Sequence, residues 1–162
     1  ILIFASGSVG FAMARSIKKR VLLLMQLQCL LQFLTTEIDF ALTLFPEALA
    51  KVGRSLGPEI ETFCATVVQM LKTGVPLALA WEEASLDFVN HGPLYVHDIQ
   101  PLLTLAPVIG LTNRQDQLRH LKLAQEYLRQ KQHHIEQEAN KSQKLWRYLG
   151  ILGGLVVVLV LI

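Results

Sequence analysis

The two ends of the chain lack charged residues altogether. No Lys, Arg, Asp or Glu occurs before Arg15 or after Arg147, and the residues beyond these limits are mostly apolar. Such runs do not suit the surface of a small soluble domain, because a large exposed apolar patch favours association with protein or lipid. Residues 1–14 and 146–162 are therefore predicted to be transmembrane segments. The first is expected to be incomplete, since a spanning helix needs about 20 apolar residues. Residues 15–145 then form one water-exposed domain.

Strand patterns are scarce in this domain. It has no strict apolar–polar alternation of strand length and few runs of β-branched residues, which argues against a sheet-based fold. Apolar residues recur instead at helical spacing, as from Leu24 to Ala41 and from Leu118 to Leu149. Pro and Gly separate the apolar stretches. The pattern predicts an all-α fold, a bundle of about six helices flanked by N- and C-terminal transmembrane helices.

The predicted helices are bounded by residues that favour helix ends. They cover 16–44, 46–56, 58–72, 76–89, the stretch from Asp98 to Gly110, and a long helix that follows Asn113. Asp98 is expected to cap the fifth helix, and Asn113 with Asp116 has the spacing of a capping box. The first and last helices are expected to continue into the terminal segments, because no Gly or Pro interrupts them near the junctions.

The formal net charge is only +2, which excludes a typical nucleic-acid-binding protein. Basic residues cluster beside the two terminal segments, at Arg15, Lys18, Lys19, Arg20, Lys141, Lys144 and Arg147. This distribution predicts that the middle domain is cytoplasmic and that membrane lipids attract it. Between Lys72 and Arg114 there is no Lys or Arg, although acidic residues occur there. The asymmetry fits either a partner of opposite charge or ion pairs within the chain.

Motifs for catalysis and metal binding are missing too. The chain has no phosphate-binding loop, no nucleophile elbow and no H-E-x-x-H pair. Cys29 and Cys64 stand alone in apolar stretches, so we expect reduced core thiols. His133, His134 and Glu138 come nearest to a metal site, but one helix supplies too few ligands. The sequence therefore predicts no catalytic, cofactor-binding or metal-binding residues, and a protein that is not an enzyme.

Small residues recur every fourth position in both terminal segments. They are Ser6, Gly10 and Ala14 in the first segment and Gly150 and Gly154 in the second. At this spacing two helix backbones can approach closely. The two segments are therefore predicted to pack on each other or on helices of another subunit.

Several stretches match the motifs of one known family. Lys144 to Leu155, KLWRYLGILGGL, looks like a terminal K-x-W/I-K-x-L-G-F-L-x-G-L motif. Leu31 to Ala48 is similar to L-x-x-L-x-x-E-I-x-Y-x-x-T-P-L-x-E-A, and Trp81 follows an Ala as in the family's A-W pair. The chain thereby resembles the stage III sporulation protein AB family of endospore-forming bacteria over essentially its whole length.

A second group of positions matches this family only in part. Gly110, Arg114 and His120 stand where the family has G-x-H-D-R and a following His. The chain departs from the family pattern at Leu44, Ala106, Pro107 and Asn113. Glu37, Arg114 and His120 fall in the matched motifs and are candidate partner-contact residues. Because of the departures, the resemblance does not transfer a binding site to them residue by residue. From its place on an otherwise apolar helix, Glu37 is expected at a boundary where a cap or an Arg satisfies it, with a buried acid as the alternative.

The resemblance also implies a fold and a role. The cytoplasmic bundle would be similar to a helical domain of the type II secretion F protein. The protein would be a structural or assembly component of the channel complex between mother cell and forespore, in the outer forespore membrane on the mother-cell side. Its implied partners are an ATPase similar to stage III sporulation protein AA and other membrane subunits of the channel. From the residues alone, the alternative is a two-span membrane sensor or transporter subunit with a ligand-binding helical domain.

Overall fold

Six helices make up the part of the protein that the structure describes. This computed structural model describes residues 2–40, 45–109 and 113–161, with side chains for 15–38, 45–109 and 113–141. The helices are α1 (Leu2–Phe40), α2 (Phe45–Leu56), α3 (Pro58–Lys72), α4 (Leu77–Asn90), α5 (Gln100–Leu105) and α6 (Arg114–Leu161). No strand occurs within these ranges. The prediction of an all-α fold is confirmed, and each predicted helix is present.

The long helices α1 and α6 pack side by side in opposite directions. Gln28 Nε2 donates to Gln132 Oε1 at 2.7 Å, and Gln125 Nε2 donates to Thr35 Oγ1 at 2.9 Å. A step of seven residues forward along α1 thus corresponds to seven residues backward along α6. In the sequence the two α6 glutamines only interrupt an apolar stripe, whereas in the fold they define its antiparallel register. Both helices continue unbroken into the terminal segments, as predicted.

The core lies between α1, α6 and the shorter helices. Six leucines of α1 are at most 1% exposed and recur at helical spacing: Leu23, Leu24, Leu27, Leu30, Leu31 and Leu34. Trp81 of α4 is fully buried, and its indole Nε1 donates to the Leu102 carbonyl oxygen at 2.9 Å. The ring of Phe63 packs edge-on against Trp81 with centroids 5.2 Å apart. Trp81 of α4 therefore contacts both α3 and α5, and its buried indole N–H has a hydrogen-bond partner.

Glycines allow α2 and α3 to form a tight helical pair. Gly57 joins them with φ of 124°, in the left-handed region that favours glycine. Gly53 lets the backbone of α2 lie close to α3, because a Cβ at this position would lie only 2.8 Å from the Cβ of Cys64. Burial raises the pKa of the Cys64 thiol to about 12. Cys64 is therefore a core thiol as expected, whereas the same expectation is wrong for Cys29, which is exposed on the outer face of α1.

The fifth helix differs from its prediction. It ends at Leu105 and is followed by turns over residues 106–109, whereas the sequence predicts an end at Gly110, which lies outside the described residues. Pro107 explains the early end, because it has no N–H to donate to a carbonyl one turn earlier. Asp98 is also not a cap, since the N-terminus of α5 has no side-chain cap hydrogen bond.

The capping box that precedes α6 is confirmed. The backbone N–H of Asp116 donates to Asn113 Oδ1 at 2.9 Å, and Asn113 Nδ2 donates to Asp116 Oδ2 at 2.9 Å. The pair satisfies one of the amides that a helix N-terminus leaves free. The sequence thus identified the start of the longest helix correctly.

One described stretch, Arg15–Ile38 within α1, is long and apolar enough to cross a membrane by length and composition. Its leucines form the core of the domain, and a core helix passes the same test. The predicted transmembrane segments, 1–14 and 146–162, are helical over their described residues. Their side chains lie outside the described residues, so membrane crossing at these segments stays a prediction.

Candidate functional site: an ion cluster and an apolar groove

A buried carboxylate connects the α4–α5 loop to both long helices. Asp98 is fully buried, and Arg20 of α1 donates to it twice, from Nε to Oδ2 at 2.8 Å and from Nη2 to Oδ1 at 2.7 Å. The backbone N–H of Tyr95 donates to Oδ2 at 2.9 Å. Lys131 Nζ of α6 lies 3.8 Å from Oδ1, and His97 Nε2 lies 3.3 Å from the same oxygen. This ion cluster therefore contacts α1, the loop and α6 together.

The Asp98 carboxyl favours its ionised form in spite of its burial. Burial raises its pKa, but the hydrogen bonds from Arg20 and from the Tyr95 backbone, with the Arg20 and His97 charges, outweigh that effect and hold the pKa below its ordinary value. The Arg20 guanidinium also lies 4.7 Å from the centroid of the Tyr95 ring, which stacks on His97. A carboxylate that is ionised and shielded from water is suited to holding a loop in place rather than to exchanging protons.

Sequence reasoning missed this cluster. Arg20 and Asp98 are 78 residues apart, and no local spacing connects them. The available signal was the absence of Lys and Arg between Lys72 and Arg114, since any cationic partner of Asp98 had to come from another part of the chain. For this carboxylate, the structure decides in favour of an ion pair within the chain.

The predicted partner-contact residues lie at one end of the bundle. Glu37 is in the last turn of α1, Arg114 begins α6, and His120 follows in its second turn. Because the two helices are antiparallel, all three positions lie at the end farthest from the terminal segments, which we call the distal end. Arg114 is exposed there, and Glu37 and His120 are half-buried.

The predicted packing residues of the terminal segments are all in helices. Ser6, Gly10 and Ala14 are in α1, and Gly150 and Gly154 are in α6. Their surroundings lie outside the described residues, so their pairing stays a prediction.

The residues nearest to a metal site lie on the exposed surface of α6. His134 Nδ1 is 3.6 Å from Glu138 Oε2, and His133 Nε2 is 2.9 Å from Gln137 Nε2. Within the described part of the chain, no group of three His, Cys, Asp or Glu residues is placed to hold a metal ion. Within the described residues, the fold therefore brings no further metal ligand to His134 and Glu138.

An apolar groove of about 330 Å³ runs between α5 and α6. Pro101 and Leu105 of α5 line one side, and His120, Leu123 and Tyr127 of α6 line the other. Leu123 and Tyr127 are exposed although both are large and hydrophobic. Grooves of this form can accept the apolar side of a helix.

Comparison with known proteins decides the family. Residues 1–162 match the family model described as stage III sporulation protein AB. The chain belongs to this family. Stage III sporulation protein AB of Bacillus subtilis (strain 168) is 27% identical over 161 residues, covering 99% of this chain and 94% of the relative. A solved structure of stage III sporulation protein AB matches with a TM-score of 0.71 at 24% identity, covering 75% of this chain and 97% of that chain, and it shows the same fold.

The matched family motifs have different structural roles in this chain. Leu31, Leu34 and the Ala80–Trp81 pair are buried, so these motif positions serve packing. Arg114 is exposed and His120 lines the groove, so these two positions are accessible to another molecule. The surface part of the family pattern is therefore the part to test for partner binding.

Proposed function

We propose that this member of the stage III sporulation protein AB family is a membrane-anchored structural component of the channel complex between mother cell and forespore. Its helical domain lies in the mother-cell cytoplasm, plays a part similar to that of a type II secretion F-protein domain, and docks an ATPase of the stage III sporulation protein AA type. The observation that carries the proposal is the pair of long helices. Each belongs to the domain core and continues unbroken into an apolar terminal segment, and Arg147 at the domain edge is the single charged residue in the two segments. Such a protein provides an attachment point and needs no catalytic residues of its own.

Anchoring at both ends is the first part of the proposal. The two terminal segments contain a single charged side chain, Arg147 at the domain edge of the second, and basic residues lie directly beside each segment on the domain side. After alkaline washing of membranes, the full chain should stay in the membrane fraction. Protease added outside intact cells should leave residues 15–145 uncut. Release by the wash, or digestion of the domain from outside, would contradict this topology.

Pairing of the two terminal segments is the second part. If the register of Gln28 with Gln132 continues toward the termini, Gly10 lies opposite Gly150 and Ser6 lies opposite Gly154, whereas Ala14 lies opposite Trp146. The two glycine pairings would then bring small residues together, which permits close packing in lipid.

A disulfide experiment tests this pairing in membranes. In a Cys29→Ser background, Gly10→Cys with Gly150→Cys should cross-link within one chain. Gly10→Cys with Gly154→Cys is the matched control, since it is displaced by one turn and should react more slowly. Equal cross-linking of both combinations, or of neither, would show that the segments do not keep the register of the domain.

The docking surface is the third part, and we assign it to the distal end. This end points away from the terminal segments, so a soluble ATPase can approach it without meeting the bilayer. It also contains the three candidate partner-contact residues from the matched motifs, Glu37, Arg114 and His120.

Pull-down of the ATPase with the full chain in detergent tests this surface. Arg114→Glu combined with His120→Ala should weaken binding at least about tenfold, which corresponds to about 1.4 kcal/mol. Arg54→Glu, an exposed charge reversal on α2, is the control and should bind as the wild type does. Absence of binding by the folded wild type, or equal loss in the control, would refute docking at the distal end.

A mechanical role can be tested separately from anchoring. A flexible Gly-rich insertion after Lys141 leaves both anchors in place but interrupts α6 between the domain and its terminal segment. If the domain relays motion from the ATPase, this variant should bind the ATPase and fail to support sporulation. Normal sporulation would show that anchoring alone is required.

A further inference from the structure

The outer face of α4 combines apolar and acidic side chains. Leu79 and Leu86 are 51% and 40% exposed, and they lie on one helix face because they are seven residues apart. Glu82 and Glu83 lie between them in sequence and on either side of them around the helix. Trp81 is buried on the opposite face. We call the four exposed residues Leu79, Glu82, Glu83 and Leu86 the acidic ridge.

The charges of the acidic ridge are not neutralised within the described part of the chain. Asp87, at the end of α4, has a neighbour in His91, whose Nδ1 lies 3.3 Å from Oδ1. Glu82 and Glu83 are exposed and have no ion pair among the described residues. This face therefore presents two leucines between two uncompensated negative charges.

The first turns of α6 have unpaired positive charge instead. Their two acids are engaged locally, Asp116 in the capping box and Glu126 by two hydrogen bonds from Arg129, at 2.9 and 2.8 Å. Arg119 is exposed on the groove side and has no ion pair with any described residue. Lys122 also has no ion pair among the described residues, but it lies on the other side of α6, beside Gln28 and Cys29 of α1. The uncompensated charge beside the apolar groove is therefore positive.

The groove and the acidic ridge are complementary in shape and charge. The groove is concave and apolar, none of its lining residues is acidic, and Arg119 is one helical turn from Leu123 on its rim. The ridge is convex and apolar with an acidic border. The ridge cannot occupy the groove of its own chain, because Trp81 fixes the other face of α4 in the core against α5. A second copy of the chain has no such restriction.

We propose that the acidic ridge of one chain docks in the α5–α6 groove of a second copy. Leu79 and Leu86 lie against Leu105, Leu123 and Tyr127. The ridge glutamates face the positive side of α6. Burial of the leucines favours association. Opposite charges favour contact between a ridge and a groove, whereas two ridges or two grooves would bring like charges together. His120 borders both surfaces, but the other residues of this contact lie on the side of the domain, and the proposal does not rest on docking of an ATPase at the distal end.

Charge reversal tests the contact in the full chain in detergent, with mass measured by analytical ultracentrifugation. The wild type should associate, and the association should weaken as salt is raised. Glu82→Lys with Glu83→Lys should weaken it at least tenfold, because two lysines then meet a positive surface. Arg119→Glu should weaken it as well, because a negative charge then borders the groove that receives the glutamates.

Two further variants make this result specific. The chain with Glu82→Lys, Glu83→Lys and Arg119→Glu together restores opposite charges across the contact and should associate again. Lys51→Glu with Arg54→Glu reverses two exposed basic residues on α2, so it should associate as the wild type does. A monomeric wild type, an assembly unchanged by reversal of the ridge, or equal loss in the α2 control would each overturn the proposal.

Cross-linking identifies the faces that meet. In a Cys29→Ser background, chains with Leu79→Cys and chains with Leu123→Cys should cross-link when the two are mixed. Neither should cross-link with itself, because equivalent faces do not meet. Self-reaction of the Leu79→Cys chain would show that two ridges pair instead. Capture of only a different protein by Leu123→Cys in cells would show that the groove serves another partner, which also overturns the proposal.

Discussion

Replacing Asp98 with Asn tests whether the ion cluster stabilises the domain. The change keeps the shape of the side chain but removes the charge and places an NH2 group close to the donors of Arg20. Arg20 has only 18% of its side chain exposed, so it cannot recover full hydration. Hydrogen bonds to charged groups contribute about 1.5–3 kcal/mol each, and breaking a buried pair costs about 3–5 kcal/mol. Because Arg20 keeps some contact with water, we expect the free energy of unfolding to fall by about 3 kcal/mol.

Denaturant unfolding followed by the fluorescence of Trp81, in a Trp146→Phe background, measures this change. Glu59→Gln is the matched control, because Lys19 Nζ contacts Glu59 Oε1 at 2.8 Å but the side chains are 51% and 35% exposed. Removal of such an exposed pair should cost less than about 1 kcal/mol. Equal costs for the two substitutions, or a cost below about 1 kcal/mol for Asp98→Asn, would refute the stabilising role of the ion cluster.

The pH dependence of stability gives an independent check on the same residue. The pKa of Asp98 is lower in the folded protein than in the unfolded chain, where it is about 3.9. The ionised Asp98 carboxylate therefore adds to the free energy of unfolding at pH values above its unfolded pKa, and this stabilisation is lost as the pH falls through its folded pKa. The difference in stability between wild type and Asp98→Asn should narrow as the pH is lowered below about 4. A difference that stays constant in strong acid would show that the substitution acts through packing alone.

Two substitutions in the core complete the predictions. Gly53→Ala should lower the free energy of unfolding by about 1–3 kcal/mol in the same denaturant assay, because the new Cβ would lie 2.8 Å from the Cβ of Cys64. The double variant Gly53→Ala with Cys64→Gly should lose less stability than the sum of the two single variants, because the Cβ atom that the new alanine meets is then absent. Losses that simply add would contradict a steric conflict between these two positions. Trp81→Phe should cost about 1–3 kcal/mol, because the Leu102 carbonyl loses its 2.9 Å donor. If Trp81→Phe has the same thermal melting temperature as the wild type, the hydrogen bond from Trp81 does not stabilise the fold.

The sequence was sufficient to locate the helices because their ends are chemically marked. Gly57 before Pro58 separates α2 from α3, and the Asn113–Asp116 pair marks the start of α6. These signals act within a few residues of the chain, where local backbone geometry decides the outcome. The prediction was less accurate at α5, where Pro107 ended the helix early.

Contacts between distant residues could not be predicted in this way. The Arg20–Asp98 pair joins residues on different helices and loops, and its partners become neighbours only after the bundle has packed. The cysteines illustrate the same limit. Cys29 and Cys64 occur in similar apolar stretches, but rotation around each helix places one outside and one in the core. The groove likewise depends on how α5 packs on α6, which helical periodicity does not specify.

The polar pairs between α1 and α6 have a consequence for the terminal segments. An apolar stripe alone tolerates a slip of seven residues, about 10 Å along the helix, because its spacing then repeats. Such a slip in one direction would set Thr35 opposite Leu118, and in the other direction it would set Gln28 opposite Ala139. Either shift removes at least one of the two hydrogen bonds. The glutamines are half-buried and Thr35 Oγ1 also donates to the Leu31 carbonyl oxygen, so each lost bond costs about 0.5–1.5 kcal/mol, the net value of an ordinary hydrogen bond. The domain therefore selects one register, and because both helices continue unbroken beyond it, that register also determines the offset at which the terminal segments leave the domain.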